Sequence, residues 1–110
     1  MEFGEIIEEA RVKAGLNQKR LAARILKEDG EHISAPYLND ILGGRRTPTS
    51  DHIIEQFSKV LKIRPELLYF AARKIPLWAY DRKADEEVVI DAFEAFKKAL
   101  QNRERKLRFE

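Results

Sequence analysis

The chain has 110 residues, no cysteine, two histidines, and 21 basic against 19 acidic residues for a formal net charge of +2. That length holds one compact domain with an appended element. The missing cysteines exclude a disulfide-stapled miniprotein, thiol catalysis and cysteine-bound metal centres. The acidic opening Met1-Glu2-Phe3-Gly4-Glu5, and the lack of any apolar run near roughly eighteen residues, lead us to expect a cytoplasmic protein with no signal peptide and no membrane span. Near-balanced charge argues against a purely electrostatic nucleic-acid binder, but the distribution of charge matters more than its sum.

Glycine and proline cut the chain into segments with helical spacing. Phe3, Ile6, Ile7, Ala10 and Ala14 share one face of a first helix over Phe3–Ala14, which Gly15 closes as a left-handed cap residue. Asn17 is a good N-cap for a second helix whose apolar face is Leu21, Ala22, Ile25 and Leu26. Ser34 caps a short third helix that tolerates Pro36 in its first turn, places Tyr37, Leu38 and Ile41 in the core, and stops at Gly43-Gly44. Arg45-Arg46-Thr47-Pro48 reads as an exposed loop. Ser50 or Thr49 caps a fourth helix carrying Ile53, Ile54, Phe57, Val60 and Leu61, and Arg64-Pro65 opens a fifth with Leu67, Leu68, Phe70 and Ala71. No segment alternates with period two, so the expectation is an all-α fold with a five-helix domain over residues 1–74.

Residues 75–110 differ in character. Ile75-Pro76-Leu77-Trp78-Ala79-Tyr80 is an aromatic connector. Asp85 to about Arg105 then reads as one long helix of roughly 30 Å at about 1.5 Å per residue. Its acids (Asp85, Glu86, Glu87, Asp91) crowd the start and its bases (Lys97, Lys98, Arg103, Arg105, Lys106) crowd the end, complementing the helix macrodipole. The basic run at 101–108 reads as a frayed helix end, with an approach to DNA as the alternative. Trp78, Phe93, Phe96 and Leu100 offer more apolar surface than a solvated tail needs, so they are candidates for a dimer interface. The alternative is that this helix folds back to complete its own domain's core.

A helix led by Gln18, a turn, and then a short helix capped by Ser34 and ended by Gly44 describe a helix-turn-helix. Ala10-Arg11-Val12-Lys13-Ala14-Gly15-Leu16-Asn17-Gln18-Lys19-Arg20-Leu21-Ala22 resembles the opening of the lambda-repressor-like, Cro/CI-type (XRE) DNA-binding domain. Ile33-Ser34-Ala35-Pro36-Tyr37-Leu38-Asn39-Asp40-Ile41, followed by Gly44-Arg45-Arg46 and Pro48, is similar to its recognition helix and exit loop. Leu61-Lys62-Ile63-Arg64-Pro65-Glu66-Leu67-Leu68 resembles its closing helix junction, and the likeness covers about residues 3–72. It implies that Gln18 donates to a DNA phosphate from the start of the second helix. It also implies that the start of the third helix enters the major groove, bringing Ser34, Ala35, Pro36, Asn39 and Asp40 near DNA. Asn39 is the best direct reader, since an amide pairs bidentately with adenine. Arg45 and Arg46 suit phosphate contacts that position the domain, and the Tyr37 hydroxyl stands within reach of another.

Three departures from the family pattern stand out. About six additional residues, Lys27 to His32, separate the two helices; they predict an extended second helix and a loop aimed away from the phosphates, or one that adjusts the third helix's angle. The family often has a glutamate where Leu42 stands, paired with the arginine equivalent to Arg11, so Arg11 needs another partner or water. Ala35 and Pro36 offer no side-chain hydrogen bond. Asp40, an anion on the groove side, can accept from a cytosine amine or pair with Arg45 or Arg46, which leaves part of the specificity to thymine methyls and DNA shape.

Little favours other chemistry. His32 and His52 have no metal-ligand spacing, Gly43-Gly44-Arg45-Arg46-Thr47 lacks the ending of a nucleotide-binding loop, and no acid/base or nucleophilic constellation is visible. No cofactor, membrane or small-molecule substrate is implied, and the chain is not expected to be an enzyme. The expectation is a small transcriptional regulator, a repressor, binding double-stranded DNA as a homodimer. The alternative is an antitoxin-like module of the same fold whose main role is to capture a protein partner.

Overall fold

The computed structural model describes residues 1–80 and 83–109, with side chains as far as residue 103 of the last helix. Among them are six α-helices and one 3-10 turn; the only strand-like pairing is an isolated bridge. The chain divides into two units, Met1–Leu77 and Trp78–Glu110.

The first unit contains α1 (Phe3–Lys13), α2 (Gln18–Arg24), α3 (Ala35–Leu42), α4 (Asp51–Leu61) and α5 (Pro65–Ala71). Three helices start on a side-chain oxygen that accepts an otherwise unpaired N–H of the first turn. The Asn17 carbonyl takes the Arg20 N–H at 2.8 Å, Ser34 Oγ takes that of Tyr37 at 3.1 Å, and Ser50, not Thr49, takes that of Ile53 at 3.5 Å. α5 opens on Pro65, which has no N–H to leave unpaired. α1 closes with Gly15 N–H on the Val12 carbonyl and Leu16 N–H on that of Arg11, and α5 closes the same way through Arg73 and Lys74. Arg73 holds the left-handed position with φ 56°.

α1 packs against α3, α4 and α5, while α2 packs against α3 and α4 against α5. Ile7, Leu21, Ile25, Ile33, Leu38, Ile41, Ile54, Phe57 and Leu68 are fully buried in one cluster, each contributing about 1.5–3 kcal/mol of transfer free energy. Phe3 and Phe57 meet edge to face with ring centroids 5.9 Å apart. Gly4 lets α1 approach the end of α3 closely: a methyl group there overlaps the Ile41 carbonyl oxygen.

Two local features depart from the expectations. α2 is not extended; it stops at Arg24, and Ile25 turns to φ −95°, ψ 108°. That turn keeps the Ile25 side chain in the core and frees Leu26 to bridge to His32. On α5 the buried residues are Leu68 and Tyr69, with Phe70 54% exposed. The Tyr69 hydroxyl is satisfied by donating to Glu55 at 2.8 Å, so the ring can be buried. Burial, reinforced by Glu55, pushes the Tyr69 phenol well above its ordinary pKa.

The first unit also runs past residue 74. One oxygen of the Asp51 carboxylate pairs with Lys74 Nζ at 2.7 Å, and the other accepts the Leu77 N–H at 2.7 Å. Two residues of the connector's root are thereby tied to the first turn of α4.

A 3-10 turn at Leu77–Ala79 begins at the last residue of the first unit, and the second unit contains α6 (Glu86–Phe109). Asp85 is its cap and not its first residue, accepting the Val88 N–H at 2.9 Å. The helix runs through Phe109, a turn beyond the end at about Arg105 read from the sequence. With no glycine or proline after Pro76 and bases gathered at its end, nothing local stops it. Every described α6 side chain from Glu86 to Arg103 is exposed. Among the described residues, no helix is long and apolar enough to cross a membrane.

Candidate functional site

α3 buries Leu38 and Ile41 and turns Ser34, Ala35, Pro36 and Asn39 to the surface. Residues three and four apart share a helix face, so Ala35, Pro36 and Asn39 form one short patch opposite the buried pair.

The end of α3 is closed by two backbone bonds, Gly44 N–H to the Ile41 carbonyl at 3.1 Å and Arg45 N–H to that of Asp40 at 2.9 Å. Gly44 supplies the left-handed residue this closure needs, at φ 77°. The Arg46 N–H also points at the Asp40 carbonyl, 3.2 Å away. The turn thus returns both arginines to the last turn of the helix they follow.

Their side chains then part. Arg45 folds back over Gly43, donating from Nε to the Asp40 carboxylate at 3.0 Å and from Nη2 to the Asn39 carbonyl at 3.2 Å. A Cβ on Gly43 would lie 2.5 Å from the Arg45 guanidinium, so the missing side chain is what gives Arg45 its seat. A cation at the C-terminal turn also complements the helix dipole. Arg46 lies over the Tyr37 ring, 5.6 Å from its centroid, in a cation–π contact. Burial pushes the Tyr37 phenol above its ordinary pKa, with Arg46 opposing. Tyr37, only half-buried, is therefore both a side of the core and the platform for Arg46.

The structure interlocks Ser34, Tyr37, Asn39, Asp40, Arg45 and Arg46 through these bonds. Gln18, Ala35 and Pro36 are exposed and take part in none of them; Gln18 is the first residue of α2, which packs against α3. Of the two partners open to Asp40 in the sequence, Arg45 is the one it has. Gly43 is the participant that the sequence did not single out. It reads there only as a helix stop, and its role depends on Arg45 folding back by two residues.

Arg11, without a glutamate at position 42, pairs with Glu8 from Nε at 2.9 Å and donates from Nη1 to the Leu16 carbonyl at 2.7 Å. The hydrogen bond from Arg11 holds the Glu8 carboxyl below its usual range. A residue one turn earlier on α1 takes over, and the arginine still braces the α1–α2 junction.

The additional residues between α2 and α3 form a tight hairpin. Lys27 N–H reaches the Glu31 carbonyl at 2.7 Å, Gly30 N–H that of Lys27 at 3.0 Å, and Ile33 N–H that of Ile25 at 2.9 Å. α4 clamps it from the side: Gln56 accepts the Leu26 N–H at 3.1 Å, and His52 Nε2–H donates to the Leu26 carbonyl at 2.9 Å. Ser50 donates to Glu28 at 2.9 Å. His52 is employed in this clamp and His32 on the Ile33 carbonyl at 2.7 Å. Among the described residues no cluster of three His, Asp or Glu side chains is disposed to hold a metal.

The candidate dimer residues are all at the surface: Trp78 is 79% exposed, Phe93 56%, Phe96 54% and Leu100 45%. Compared with known proteins, the chain matches no protein-family model, no curated protein and no solved structure.

Proposed function

We propose that α2 and α3 act as a lambda-repressor-like helix-turn-helix, and that the protein is a small transcriptional regulator binding double-stranded DNA sequence-specifically. On this proposal it binds as a homodimer to a pseudo-palindromic operator and represses by occlusion. The observation that carries it is the construction of α3. Its short exposed face of Ala35, Pro36 and Asn39 lies opposite a buried one and ends in two arginines fixed at its exit turn.

A convex helix face of small side chains suits the major groove, about 12 Å wide in B-DNA. Asn39 is the residue to pair with an adenine edge, and Ala35 and Pro36 offer apolar contact to thymine methyls. Arg46, held over the Tyr37 ring and exposed to solvent, offers its guanidinium N–H groups to a phosphate. Gln18 adds a second phosphate donor from the start of α2. Of the formal charges on Asp40, Arg45 and Arg46, one positive charge remains after the Asp40–Arg45 pair is formed. That small surplus puts more of the binding on base contacts and paired half-sites than on general attraction.

The test is selection of bound duplexes from a random pool, followed by salt titration. A recovered motif with two related half-sites, and a salt slope that falls by about one per phosphate contact removed in Arg46→Ala, is the expected result. No enrichment, or a slope unchanged by Arg46→Ala and by Gln18→Ala together, overturns the proposal.

A further inference from the structure

We propose that α6 pairs with α6 of a second copy in antiparallel orientation, about a two-fold axis lying between Glu94 and Ala95. This rests on the proposed function only in taking the chain as a homodimer.

Val89, Phe93, Phe96 and Leu100 recur at steps of four, three and four, a seam with the period of paired helices. These four side chains are 45–56% exposed, so a partner has apolar surface to bury. Reversal about the midpoint maps the seam onto itself. Val89 comes opposite the second copy's Leu100, and Phe93 opposite its Phe96. Ala92 and Ala99 flank the seam on one side and admit close approach.

Apolar spacing alone would equally permit parallel helices; the charges decide. Asp85, Glu86, Glu87, Asp91 and Glu94 fill the first half, and Lys97, Lys98 and Arg103 the second. Parallel pairing sets acid on acid at one end and base on base at the other. Antiparallel pairing sets each half on its opposite. The next seam step outward is Glu86 at one end and Arg103 at the other, and the same reversal brings them together. The helix dipoles also run favourably when antiparallel. Such an interface is isologous and closed, so pairing ends at two copies.

The absence of cysteine gives a clean test in the 110-residue chain, without DNA. Val89→Cys and Leu100→Cys are prepared separately, one with a size tag, then mixed and oxidised mildly. The mixed cross-link is expected to exceed both self-linked products by about tenfold, since only opposed side chains reach disulfide distance. In parallel, sedimentation of the unaltered chain is expected to show a dimer that loosens as salt rises, because screening weakens attraction between opposite charges. Predominant self-linking of either variant, or a dimer that tightens with salt, overturns the antiparallel assignment in favour of a parallel one. A monomer at about 100 µM overturns self-pairing altogether. A chain that cross-links as expected but enriches no DNA sequence retains this inference and loses the proposed function; the converse result does the opposite.

Discussion

Asp40 holds Arg45 twice: its carboxylate receives the arginine Nε–H at 3.0 Å, and its carbonyl receives the arginine's backbone N–H at 2.9 Å. Two arginines that stand side by side in the sequence are therefore unequal. Arg45 is a strut for the end of α3, and Arg46, lying on Tyr37, is the charge turned outward.

Asp40→Asn removes the anion and loosens the strut. If the proposed DNA contact is right, general DNA affinity rises by about three- to tenfold, and the salt slope steepens by about one as Arg45 becomes available to phosphate. Filter or fluorescence titration across salt concentrations measures both. Weaker binding confined to sequences with cytosine at one position would mean that Asp40 itself accepts from a cytosine amine.

Gly43 and Gly44 separate into two different requirements. Gly44→Ala places a side chain at φ 77° and is expected to cost about 1–2 kcal/mol in urea denaturation. Gly43→Ala keeps an ordinary backbone, at φ −82°, and is expected to cost about 0.5–1 kcal/mol or less while dislodging Arg45 from Asp40. Double substitution of Gly43→Ala with Arg45→Ala should then cost no more than Arg45→Ala alone.

Acid acts through Asp51. Lys74 foremost, with the Leu77 N–H, holds its carboxyl below the usual range against the opposing effect of burial. Its pKa is thus lower folded than unfolded, so the carboxylate adds stability above the unfolded value of about 3.9 that disappears as pH falls through the folded value. Asp51→Asn is expected to lower the melting temperature at pH 7, and the gap from wild type should close as pH drops below about 4. A gap that stays constant down to the acid transition would contradict the assignment.

Gly4→Ala is expected to destabilise the first unit by about 1–3 kcal/mol, because the added methyl meets the backbone of α3 and not a yielding side chain. Alanine normally improves a helix by about 1 kcal/mol over glycine, so the sign of the result separates close approach from helix propensity. Denaturant midpoints measure it directly.

Caps were legible in the sequence because a cap is a bond within three residues: Asn17, Ser34 and Ser50 each stand just before the helix they start. The end of α2 was not. Leu21, Ala22, Ile25 and Leu26 continue a helical pattern through the point where the chain turns away, and what turns it lies elsewhere. Ile33 pairs with Ile25 from eight residues on, and His52 and Gln56 bind Leu26 from α4. The Tyr69 side of α5 was hidden for the same reason, since the hydroxyl's partner, Glu55, is on another helix. At the candidate site the residue types and their order were legible, and the Asp40–Arg45 pair stood among the options. The division of labour between the arginines was not, because it depends on the ring of Tyr37 and the gap over Gly43.

The hairpin between α2 and α3 separates the length of that connection from its span. The chain leaves at Ile25 and re-enters at Ile33 through a direct backbone bond, whatever number of residues the excursion holds. Its tip at Asp29-Gly30 is consequently an address for a fluorophore or a short epitope that reports on the molecule while leaving the two helices in register.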